Sequence, residues 1–285
     1  MRLKVIPLFA AAGLAAWQPT VHAEVTQQGS THHEAPPSVG PTLADAQREF
    51  YNARYEAAAN LALAVQSSDT QALAAYEIRT SALHFQLRDA LGVHTDKGKA
   101  FKQCAVCPAL LKAFLTDITR GQELARQRLL TEPGNDDALF FLGKLNLNYV
   151  WLQLETLGRK TGWSEYWEAR ESLDAALEAN PRHTRARVAR AWIDYIVGTK
   201  MARGSRWVLG GGSKQRAFKG AREAASAAES EFFVRAEAEF ALWEMLVRDR
   251  NLTEATPLAQ KLARDFPENR KLVNFLKTAA PGLNP

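Results

Sequence analysis

Cys104-Ala105-Val106-Cys107 is the most specific chemical spacing in the chain. Two thiols with two residues between them can close a disulfide, cycle as a redox couple or supply half of a metal site. Haem attachment requires a histidine after the second cysteine, and Pro108 stands there. Zinc requires two more ligands, and His84 and His94 upstream fit no zinc spacing. A thioredoxin-like couple wants a strand before the motif and a helix after it, and only the helix is expected. These are the chain's two cysteines, and outside the cytoplasm such a pair usually bonds. A structural disulfide is the favoured reading; a redox pair and a metal site are the alternatives.

A second concentration of chemistry runs from Tyr149 to Trp207. Trp151, Trp163, Tyr166, Trp167, Trp192 and Tyr195 are interleaved there with Arg159, Lys160, Arg185, Arg187, Arg190, Lys200, Arg203 and Arg206. Val188, Trp192 and Tyr195 fall on one helical face, with Arg187, Arg190 and Asp194 on a stripe beside it. One reading is core with a solvated charged face. The sharper one is a binding groove made of Arg187, Arg190, Trp192, Asp194, Tyr195, Arg206 and Trp207, where rings give stacking area and arginines clamp an anion. Gly210-Gly211-Gly212-Ser213-Lys214 opens a further helix. Its amides could face an anion, but no strand precedes it and the phosphate-loop ending is absent, so a backbone reversal is the plainer reading. No Ser/His/Asp set, carboxylate pair or His-Glu-x-x-His is recognisable. The expectation is a binding protein rather than an enzyme, with no cofactor and no metal.

The elements that must position these residues are helical. Of 285 residues 46% are hydrophobic and 24% charged, which excludes wholesale disorder. From Leu43 onward apolar residues recur at three- and four-residue steps. The pattern predicts helices over 43–51, 55–67, 70–91, 108–131, 135–157, 164–179, 182–197, 213–228, 231–248 and 252–265, with a weaker one at 268–279. Glu132-Pro133, Asn180-Pro181 and Phe266-Pro267 each stop a helix, because the residue before proline disfavours the helical region.

Around the second of these turns the chain resembles the tetratricopeptide repeat family. Leu142-Gly143, Ala169, Leu173, Ala176 and Pro181 stand where that signature has its small, large and closing residues, and Phe50-Tyr51 to Ala58 looks like its inter-helix turn. The resemblance implies an all-α, right-handed solenoid of antiparallel helix pairs over 43–279, with a concave side that holds a partner. Gly210-Gly211-Gly212-x-Lys214-x-x-Ala217, followed by Ala221, Ala224 and Ala225, is similar to a stretch in the T-component proteins of tripartite ATP-independent periplasmic transporters. That likeness implies a ligand-binding accessory of a transporter.

The first residues set the compartment. Met1-Arg2-Leu3-Lys4, an apolar run to Trp17 and Val21-His22-Ala23 have the layout of a secretory signal cleaved after Ala23. Residues 24–42 read as a polar tether, in which His32-His33 is filler rather than a metal site, and 280–285 as a tail. No cysteine lies near the cleavage point, so no lipid anchor is expected. The exported chain, periplasmic or secreted, carries 34 basic against 31 acidic side chains once Arg2 and Lys4 are removed. That balance is too mild to suggest nucleic acid, and no stretch is suited to an integral membrane segment. The expected partner is a protein or peptide of the cell envelope, a transporter component among the candidates, held in the concave groove. The alternative is a small organic ligand.

Overall fold

The computed structural model describes residues 40–68, 70–94, 96–201, 206–227 and 231–279. The expected signal sequence, most of the expected tether, Arg203 and the expected tail at 280–285 lie outside the described residues. Within them the chain is all-α, with no strand. The helices are α1 Leu43–Tyr51, α2 Tyr55–Val65, α3 Ala72–Leu91, α4 Lys97–Gln103, α5 Cys107–Thr131, α6 Asp136–Trp151, α7 Trp163–Ala179, α8 Thr184–Lys200, α9 Lys214–Ala227, α10 Phe232–Arg248, α11 Leu252–Asp265 and α12 Arg270–Ala279. A π-helical turn, Leu152–Thr156, prolongs α6.

Local chemistry explains the boundaries. Thr42 and Asp45 form a reciprocal capping box at the start of α1. After each helix-stopping proline the next helix is capped by the residue two positions on. Asn135 accepts from the Ala138 amide at 2.8 Å, His183 from Ala186 at 3.2 Å, and Asn269 from Leu272 at 3.2 Å. Each cap satisfies an amide that the first helical turn leaves open. The α1–α2 turn is tight because Ala53 adopts a left-handed φ of 59°.

Packing follows from small residues at crossings. A Cβ on Gly143 would lie 2.7 Å from Leu173 Cγ and 3.0 Å from the Ala169 carbonyl. Only glycine lets α6 and α7 approach this closely at that point. Helices adjacent in the chain pack together from α1 to α3 and from α5 to α12, and a second set of contacts joins α1 to α3, α3 to α6, α6 to α8 and α8 to α10. Helix α10 then meets α1, so these five helices close an inner ring. An aromatic cluster seals the junction, with Tyr51 stacked on Phe240 at 5.3 Å and tilted against Phe266 at 5.3 Å. Asn269 donates to the Tyr51 carbonyl at 2.7 Å, and Lys271 donates to the Tyr55 hydroxyl at 2.9 Å. The two ends of the helical domain therefore hold each other.

Helix α4 is absent from the sequence expectation. Its stretch, Lys-Gly-Lys-Ala-Phe-Lys-Gln, has too little apolar periodicity to read as a helix. The disulfide between Cys104 and Cys107 ties it to the start of α5, and Cys107 is fully buried against α2, α3 and α5. No described helix is long and apolar enough to cross a membrane.

Candidate functional site

A cavity of about 190 Å³ lies inside the ring. Four of the five inner helices each contribute one stripe to its wall at steps of three and four residues, the spacing of a single helical face, and α1 adds Phe50 and Tyr51. On α3 the stripe is Glu77, Ser81, His84 and Arg88; on α6 and its π-turn, Lys144, Asn148, Trp151 and Glu155. On α8 it is Arg185, Val188, Trp192 and Ile196; on α10, Glu237, Ala241, Glu244 and Arg248. Eleven residues of rise make the wall roughly 16 Å deep.

Ion pairs fix the sense in which the stripes run. The leading residues meet at one end, where Arg185 bonds Glu77 at 2.9 Å and Glu237 at 2.5 Å. Lys144 lies 3.1 Å from Glu237 and 3.9 Å from Glu77. The trailing residues meet at the other end, where Arg248 reaches Glu155 at 3.3 Å and Glu244 at 2.7 Å, and His84 bonds Thr156 at 2.8 Å. The cavity is thus a cup with a floor of four mutually paired charges and a mouth rimmed by Arg88, Glu155, Glu244 and Arg248. Between them the walls are apolar: Phe50, Phe85 and Phe240 with Trp151, Trp192, Ile78, Val188 and Ile196.

The electrostatics of the floor are those of a closed network. Burial alone would raise the Glu237 carboxyl, yet Arg185 and Lys144 outweigh it and hold the group at about 2. Burial pulls the Lys144 ammonium down, but Glu237 and Glu77 overcome this and leave it above its ordinary value. Two acids and two bases so arranged fix rigid structure rather than seek a ligand. His84 differs: burial, with Arg88 and Lys271 nearby, lowers its pKa to about 3, so it is a neutral hydrogen-bonding group in the wall. Outside the cavity lining, against Tyr55, burial and the Arg88 charge bring the Lys271 ammonium down to about 8.

No protein-family model and no curated protein matches this chain.

The residues singled out in the sequence divide sharply. Trp192 lines the cavity, together with Val188. Tyr195 does not: it packs edge-on against Phe218 at 5.9 Å and points its hydroxyl at the Met245 carbonyl, 3.4 Å away. The register explains this, because Ile196, four residues after Trp192, takes the inward place. Arg187, Arg190 and Asp194 lie on the opposite side of α8. Arg187 donates to the Pro181 carbonyl. Arg190 pairs with Asp174 at 2.5 Å and Asp194 with Arg216 at 3.2 Å, linking α7, α8 and α9 outside the cup. Arg206 donates to the Met201 carbonyl, and Trp207 stands exposed.

The three glycines also have a structural task. Arg170 donates to the carbonyls of Leu209, Gly210 and Gly211 at 3.0, 2.7 and 3.4 Å respectively. Gly210 takes φ +71°, and a Cβ there would strike that guanidinium at 2.6 Å. The turn presents carbonyls to an arginine, which leaves it a clasp between α7 and the α8–α9 connection rather than an anion cradle. Among the described residues no cluster of three or more His, Cys, Asp or Glu side chains could hold a metal ion.

Sequence reasoning missed most of the cup. Glu77, Arg88, Lys144, Glu155, Glu237, Glu244 and Arg248 belong to it. Their signal was a charged residue at the start of each apolar stripe, repeated on four helices, which stands out only when the helices are compared side by side.

Proposed function

We propose that this protein is an exported, tetratricopeptide-like right-handed solenoid that holds a small organic ligand in its central cup, as a T-component-like accessory of a tripartite ATP-independent periplasmic transporter. One observation carries the reading: α10 meets α1, and the cavity this leaves has aromatic walls and a few placed polar groups, the composition of a ligand pocket. A scaffold that lays a peptide along a concave groove needs that groove open along its length. The π-helical turn adds support, since such turns are frequent at functional sites and this one sets Trp151 and Glu155 in the wall.

The test is a screen of small organic compounds against the full chain, read by the fluorescence of Trp151 and Trp192. Ala241→Trp, which fills the cup, is the control. Compounds that bind the native chain but not the filled variant support the reading. Binding that survives filling refutes it.

A second reading, an adaptor for a protein of the cell envelope, is supported by a different feature. Trp163, Trp167, Trp207 and Val208 are exposed large apolar side chains, brought into one neighbourhood where Tyr166 bonds the Leu209 carbonyl. Cross-linking from Trp207→Cys to an envelope protein would favour it.

A further inference from the structure

We propose that the cup takes a zwitterionic α-amino acid with an aromatic or branched apolar side chain, its carboxylate on Arg88 and its ammonium at the Glu155–Glu244 pair. The inference rests on the ligand-holding reading above and names the chemistry of the ligand.

Charge balance is the first argument. The lining carries four carboxylates, Glu77, Glu155, Glu237 and Glu244, and four cations, Arg88, Lys144, Arg185 and Arg248. A pocket in balance admits a ligand of zero net charge without leaving an ion unpaired, whereas a simple acid or amine unbalances a half-buried mouth.

The second argument is how those charges are used. The floor is saturated by its own pairs, so recognition falls to the mouth. There Glu155 and Glu244 share a single partner, Arg248. Arg88, on the same mouth, donates no hydrogen bond among the described residues. Its guanidinium lies 4.2 Å over the Phe85 ring, and its nearest carboxylate is Asp89 at 3.8 Å. The mouth therefore holds an arginine with donors to spare and two carboxylates served by one guanidinium. An α-amino acid bears the matching pair of charges on one carbon, and a charge-assisted contact to each partner is of the stronger kind.

The third argument is size. With both charges at the mouth, the side chain must point into the cup, between Phe85, Trp151, Trp192 and Phe240. An apolar cavity of about 150 Å³ accommodates benzene, so about 190 Å³ suits a benzyl or branched aliphatic group.

The experiment titrates the full chain with L-phenylalanine, L-leucine, 3-phenylpropionate, 2-phenylethylamine and 2-phenylethanol, following tryptophan fluorescence. The amino acids should bind, and each phenyl analogue lacking one or both charges should bind about tenfold or more weakly than L-phenylalanine. Arg88→Gln should weaken L-phenylalanine to the level of the amine. Glu244→Gln, which keeps Arg88 in place, should erase the preference for L-phenylalanine over 3-phenylpropionate. Binding of 3-phenylpropionate or 2-phenylethylamine as tightly as L-phenylalanine overturns the zwitterion assignment. So does 2-phenylethanol binding best, but if Ala241→Trp removes that binding, the cup remains a ligand site. If no compound gives a signal that Ala241→Trp removes, both the assignment and the ligand-holding reading fall.

Discussion

Replacing His84 by Gln should flatten the acid side of the stability profile. His84 is buried, and its pKa falls from 6.5 to about 3 in the folded chain. Between those values the unfolded chain carries a proton on this residue and the folded chain does not. Stability therefore falls as the pH drops from 6.5 towards 3, and the loss ends below the folded pKa. One pKa unit is worth about 1.4 kcal/mol, so the whole interval corresponds to a ceiling of about 5 kcal/mol. Glu237 complicates the lower part, because its carboxyl stays ionised to about 2 and costs stability below its ordinary value of 4.5. The interval from pH 6.5 to 4.5 isolates the histidine, with a loss of about 2–3 kcal/mol. Urea unfolding at several pH values in that interval reads the effect as a shift in midpoint at constant slope. Gln keeps an amide near the Thr156 hydroxyl, so the variant is expected to fold. If wild type and variant lose stability in parallel from pH 6.5 to 4.5, the assignment of His84 as a neutral wall residue is wrong.

Three other outcomes are expected. Gly143→Ala should destabilise the chain by about 1–3 kcal/mol in denaturant unfolding, because its Cβ would overlap Leu173 and the Ala169 carbonyl; an unchanged midpoint would mean that α6 and α7 do not approach as described. Replacing both Cys104 and Cys107 by Ser should lower stability at the small end of about 0–5 kcal/mol, since the bond closes a very short loop; thiol labelling of the native chain without reductant should find no free cysteine. Lys271, lowered to about 8 by burial and by Arg88, should make stability rise between pH 8 and 10, where the unfolded chain keeps a proton that the folded chain has lost; Lys271→Gln should remove that rise, and a rise that persists would place its origin elsewhere.

The helices were legible because their causes are local. Periodicity, proline stops and caps lie within a few residues of each boundary, and α1 and α11 begin and end where the pattern predicts. Helix α4 was not, since a disulfide rather than an apolar face holds it. The π-turn was hidden inside what reads as one continuous helix over 135–157. The cup was hidden for a different reason. Its enclosure depends on Tyr51 meeting Phe240, Phe266 and Asn269, contacts some two hundred residues apart that no short pattern records. The aromatic-basic band drew notice by density, but density mixes faces: Trp192 points into the cup, while Arg190 and Asp194 of the same helix bind its outer neighbours and Arg187 the turn before it.

The most direct test of a ligand held inside the ring is a crystal structure of the chain grown with a compound that binds it in solution. The account predicts density in the cup, with the apolar part against Trp192 and Phe240 and the polar end at Arg88. Density on the outer face of α7 to α9, with the cup holding only water, would contradict it.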